Sequence, residues 1–163
     1  MNSLLNSCLH DRSFVLLTCI IPAQSQVAAI FPVEAFVLVE AVIKMYDWNL
    51  VWALELVYAD EVDVSSLTLN LGSIVLSDSR SPTTSLAVSG VRDTAAPANI
   101  IRIQLAGNIS KTLAPAAARN TIMLTVAPEY LKQNDLVVGA KVDDANVKIV
   151  PIGMLHSSLF NKH

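Results

Sequence analysis

The chain is poor in the side chains that carry chemistry. It has two cysteines, Cys8 and Cys19, both in its first twenty residues. A secreted disulfide scaffold spreads its bridges through the fold. A Cys8–Cys19 bridge would staple only an N-terminal loop, so both are read as free thiols, small and apolar in behaviour. Zinc needs four ligands at finger-like spacing, and only His10 stands near the cysteines, so no metal site is expected. The three histidines are His10, His156 and His163. Nucleophilic catalysis needs a buried, oriented base beside its nucleophile. Neither Gly-x-Ser-x-Gly nor Ser-x-x-Lys occurs, and no catalytic residue is assigned. With five glycines there is neither a Gly-x-Gly-x-x-Gly turn nor a phosphate-cradling P-loop, which removes the common cofactor-binding motifs.

Charge is scarce as well. Asp, Glu, Lys and Arg make up 15% of the chain, against about 25% in ordinary soluble domains. The basic residues stand singly, so the clustered positive charge that nucleic-acid binding requires is missing. Asp60-Glu61-x-Asp63 and Asp143-Asp144 are the acidic clusters. Neither has the Asp/Asn-Gly spacing of a calcium loop, and neither has the aromatic platform of a glycosidase, so they are read as solvated turn acids. Asn108-Ile109-Ser110 fits a glycosylation acceptor, a tripeptide that is common by chance.

What the chain has in quantity is alternation. Leu67-Thr68-Leu69-Asn70-Leu71, Ile101-Arg102-Ile103-Gln104-Leu105 and Thr121-Ile122-Met123-Leu124-Thr125-Val126 each place apolar and polar residues in turn. Period two puts one row of side chains on each face of a strand. Strands are expected near residues 62–71, 73–76, 86–91, 100–106, 121–127, 136–142 and 147–152. Residues 78–82 and 93–99 read as loops, Gly107-Asn108 as a tight turn, and residues 113–120 as an Ala-rich connection with one helical turn at most. Pro128 opens a short helical segment, and Asp143-Asp144-Ala145-Asn146 is read as a hairpin joining the last two strands. The expected architecture is mainly β, a β-sandwich or barrel-like single domain over residues 34–163, behind an apolar N-terminal arm over residues 1–33.

Residues 13–33 contain no charge. The run Phe14-Val15-Leu16-Leu17-Thr18-Cys19-Ile20-Ile21, then Pro22 and Ala23-Gln24-Ser25, has the layout of a secretory signal, while Asp11 beside Arg12 is a poor basic leader. A membrane span would carry Pro22, Gln24, Ser25 and Gln26 at mid-depth, which is costly, so no membrane partner is expected. The remaining reading is an arm docked in a sheet or resting on a neighbour. Residues 36–46 fit a helix, with Glu40, Lys44 and Asp47 on one face, or a strand. Val37, Val39, Val42 and Ile43 favour the strand, so a long β-hairpin from Phe36 to Tyr58 is expected, turning at Asp47-Trp48-Asn49.

The apolar content is 53%. A lone globule of 17.5 kDa exposes roughly 8,000 Å², which so few charges cover thinly. Large exposed apolar patches mark interaction sites. The function expected is therefore a non-enzymatic structural protein of a large assembly, a viral or phage capsid decoration or minor shell protein located in the virion. Its partners would be copies of itself or a major shell protein, with no small-molecule ligand. The alternative is a secreted or periplasmic β-sandwich binding module, or a pilus-like subunit with a cleaved signal. Trp48, Trp52 and Phe36 are the candidate interface anchors.

Overall fold

In a computed structural model the described residues are 35–48, 51–63 and 66–153. The 1–33 arm, both cysteines and all three histidines lie outside them. The chain is mainly β, as the alternation predicts, and its described residues form three sheets with no closed barrel. β1 (Leu38–Asp47) and β2 (Val51–Tyr58) form the expected antiparallel hairpin. β7 (Ile100–Leu105) and β6 (Gly90–Asp93) extend it on one side, and β12 (Lys148–Pro151) joins β1 in parallel on the other. The second sheet runs β11 (Val142–Asn146), β8 (Ile122–Val126), β4 (Ile74–Asp78), β5 (Ser81–Ala87). The third is small: β10 (Leu136–Val137), β9 (Leu131–Gln133), β3 (Leu67–Leu69).

One core joins all three sheets. On the inner face of the hairpin sheet Met45 pairs with Trp52, and Leu54 lies between Ile43 and Ile103. Ile74, Leu76, Leu124 and Val126 supply the second sheet's inner face, all buried. Each such side chain contributes about 1.5–3 kcal/mol by leaving water, and this drives the sheets together as a sandwich.

Several local expectations are corrected. Residues 107–118 are neither a tight turn nor a single helical turn but a 12-residue helix, α1 (Gly107–Ala118), linking β7 to β8. Ile109, Ser110, Leu113, Ala116 and Ala117 are its buried residues, the spacing of one helical face. Pro115 is exposed on the opposite face, so its ring displaces no core neighbour. Asn120 ends the helix at φ 55°, with Thr121 N–H donating to Ala116 O and Asn120 N–H to Ala117 O. That closes the last turn without glycine.

Asp143 to Asn146 do not connect the last two strands; they are part of β11, and β12 departs to the other sheet. Asp144, at φ 48°, bulges the strand between Val142 and Ala145. The strand expected at 62–71 shrinks to Leu67–Leu69. The one expected at 86–91 is divided between β5 and β6, and the chain changes sheets at Val88 and Ser89. The strand at 136–142 is reduced to Leu136–Val137: a two-residue turn at Asn134 and Asp135, both at positive φ, folds it back onto β9, the Val138 and Gly139 N–H groups then converge on Leu131 O, and Gly139 bridges Phe36 instead.

Candidate interaction surface

The outer face of the hairpin sheet holds the densest polar arrangement. The strand register lines Val42, Glu55, Arg102 and Asp93 across four strands, and Lys44 sits diagonally from Glu55. Lys44 Nζ lies 2.9 Å from Glu55 Oε1, Arg102 Nε donates to the same oxygen at 2.6 Å, and Arg102 Nη1 donates to Asp93 Oδ2 at 2.9 Å. The Glu55 side chain is only 4% exposed. Burial alone pushes its carboxyl up, but the hydrogen bonds and charges of Lys44 and Arg102 outweigh that and hold it below its ordinary value. Asp93 is also held low, first by the Ala95 N–H and then by Arg102. A carboxylate clamped between two cations is a weak base and a poor nucleophile. The row is suited to fixing strand register, not to proton transfer.

Beside this row lies a depression of about 490 Å³ lined by Tyr46, Val51, Ala53, Val91, Asp93, Arg102 and Gln104, among others. Three of its walls are exposed large apolar residues: Tyr46 at 46%, Val51 at 37% and Val91 at 71%. A larger hollow of about 540 Å³ on the outer face of the second sheet is lined mainly by Ser77, Ser79, Ser85, Thr125 and Asp144 with Val75 and Met123. Asp78, which also lines it, is engaged: Thr121 Oγ1 donates at 2.6 Å, Arg119 Nη2 at 2.7 Å and Arg80 N–H at 3.0 Å. Those bonds, Thr121's first, hold the Asp78 carboxyl low and fasten the end of α1 to β4. Among the described residues no group of three or more His, Cys, Asp or Glu could hold a metal ion. Asp60, Glu61 and Asp63 are exposed, as turn acids should be. No helix among the described residues is long and apolar enough to cross a membrane.

The three candidate anchors part company. Trp52 is fully buried within its own chain, and its Nε1 donates to Asp47 O at 3.0 Å. Trp48 is 39% exposed at the hairpin tip, where it lines a hollow with Met45, Tyr46, Pro151 and Gly153. Phe36 lies before the other end of β1, half-buried, its ring edge-on to Tyr58 at 6.3 Å. Tyr46, Val51 and Val91 were not singled out from sequence. The hairpin expected from sequence was the available signal, since it brings the end of β1 beside the start of β2; a bulge between Met45 and Asp47 then pairs Val51 with Asp47 and leaves Tyr46 next to that pair. Val91 reaches them only through β7. No protein-family model matches the chain, and no curated protein or solved structure matches it either.

Proposed function

We propose that the chain is a non-enzymatic structural subunit of a large assembly, a capsid decoration or minor shell protein of a virus or phage that acts through subunit contacts. The observation that carries this reading is the cluster of Tyr46, Val51 and Val91, exposed together on one depression of the hairpin sheet. Exposed apolar groups gathered at one place favour a protein partner over solvent. The charged groups beside them are already paired with one another, which leaves little free polar chemistry for a substrate. The N-terminal run that ends at Ala23-Gln24-Ser25 favours a second reading, a secreted or periplasmic module with a cleaved signal. Intact mass of the native protein separates the two, since cleavage removes about 25 residues.

The test of the assembly reading uses both tryptophans. Trp52→Ala is expected to cost about 3–5 kcal/mol of folding stability. Trp48→Ala is expected to leave thermal melting nearly unchanged and to weaken association by about 2 kcal/mol in sedimentation. A wild-type chain that stays monomeric at its highest soluble concentration, alone and with its native particle, would refute the reading.

A further inference from the structure

Six strands end the three sheets among the described residues, and five of them are blunted. β12 carries Pro151, and β5 carries Pro82 and a register break opposite β4. β11 is bulged at the acidic pair, while β10 and β3 are two and three residues long. Proline, bulges, charge and shortness are how sheets prevent pairing at their edges. β6 is short and carries Arg92 and Asp93, but it has neither proline nor bulge, and it pairs with β7 without a break over all its four residues. It also presents Val91, at 71% the most exposed large apolar residue among those described. We infer that β6 docks antiparallel on β6 of a second copy of this chain, joining two hairpin sheets into one continuous sheet about a two-fold axis.

The register follows from the sequence of the strand. Ala106 N–H donates to Ser89 O, so residues 89, 91 and 93 turn their peptide groups toward β7, and residues 90 and 92 turn theirs outward. A two-fold axis normal to the sheet places residues of the same face opposite one another, so each register centres on one residue. Centring on Arg92 or Asp93 sets like charges face to face, which destabilises a cross-strand pair. Centring on Gly90 brings Val88 into the seam, and Val88 is buried in its own core. Centring on Val91 sets Val91 against its own copy, Arg92 against Gly90 of the second copy, and Asp93 against Ser89 of the second copy. No like charges meet, and the two valines form the close, non-hydrogen-bonded pair in which side chains approach most nearly. The depression that Val91 lines then continues across the seam into its twin. This inference rests on the reading of the chain as an assembly subunit and names the surface that the self-contact uses.

The experiment uses the full chain with Cys8→Ser and Cys19→Ser, into which Val91→Cys or Thr94→Cys is placed. Opposed Cβ atoms in a non-hydrogen-bonded pair lie about 4.5–5.5 Å apart, within disulfide reach. Two Thr94 positions would be roughly 20 Å apart at about 3.3 Å per residue. Under mild oxidation Val91→Cys is expected to give at least tenfold more linked dimer than Thr94→Cys. Separately, Val91→Lys in the natural chain is expected to weaken self-association at least tenfold in sedimentation, with circular dichroism and melting unchanged because the side chain is exposed. If the chain self-associates but neither variant behaves differently from its control, β6 is not the contact and the assembly reading survives. If the natural chain does not self-associate at all, the docking fails whatever the cross-linking shows.

Discussion

Tyr58 and Tyr130 are 72 residues apart in sequence, yet their hydroxyls are hydrogen-bonded to each other in the core, at 2% and 0% exposure. Tyr58 ends β2, and Tyr130 ends the short 3-10 turn before β9, so the bond ties the hairpin sheet to the small sheet. Removing one hydroxyl leaves the other buried without its partner. Tyr58→Phe or Tyr130→Phe should therefore cost about 1–3 kcal/mol each, or about 2–4 °C of Tm per kcal/mol at this chain length. Removing both leaves two rings of nearly the same shape and no stranded polar atom. One hydrogen bond between two hydroxyls uses only one of their two protons, so little is lost, and the double variant should lie within about 1 kcal/mol of the natural chain. Urea titration of the four proteins gives the cycle. The expected interaction energy is negative, with the double variant more stable than the sum of the singles. A double variant as unstable as that sum would refute the reasoning. The pair also has an alkaline signature. Burial, with Tyr130's proximity in the case of Tyr58, pushes both phenols up, so they remain protonated in the folded chain. In the unfolded chain they ionise near an ordinary value of about 10. Their contribution is complete below that pH and is lost as pH rises above it, and the double Phe variant should flatten this alkaline limb.

Glu55→Gln removes the central charge of the Lys44–Glu55–Arg102–Asp93 row and should cost about 1–3 kcal/mol in urea, less than a fully buried pair because Lys44 and Arg102 keep partial access to water. Glu55, Asp78 and Asp93 are all held low, so the stability they confer is present above the ordinary carboxylate range, about pH 4, and should fall as acid protonates them below it; melting temperatures that stay level from pH 6 to pH 2 would contradict this. Ser110 is fully buried in α1 and its Oγ has no hydrogen-bond partner among the described residues, so Ser110→Ala should leave stability unchanged or raise it by up to about 1 kcal/mol, and a loss in thermal melting would show that the hydroxyl is engaged. A Cβ at Gly90 would sit 2.0 Å from Gln104 O, so Gly90→Ala should push β6 off β7 at a cost of about 1–3 kcal/mol, seen as faster amide exchange at Val91, with unchanged exchange counting against the close approach.

The sequence by itself determined the β class, the hairpin of β1 and β2, and the positions of the strands at 100–105 and 122–126. Each is a local property, because alternation and β-branched content act on neighbouring residues whatever the rest of the chain does. It also showed how few chemical motifs the chain carries, since motifs are patterns of spacing. Helix α1 was present in the sequence as a 3.6-residue period in Ile109, Leu113, Ala116 and Ala117. The glycine at its start and the proline within it concealed that period, and only packing against both large sheets overrode their poor helix propensity. The allocation of strands to sheets could not be read, because a strand's face pattern does not name its neighbour. Val91, Arg102, Glu55 and Lys44 are ordinary residues on four different strands, and only the order β1-β2-β7-β6 makes them adjacent. The burial of Trp52 was likewise decided in three dimensions. The turn at Asp47-Trp48-Asn49 already placed Trp48 at the hairpin's tip, where it is 39% exposed, but only the packing of the sheets turned Trp52 inward from β2 into the common core.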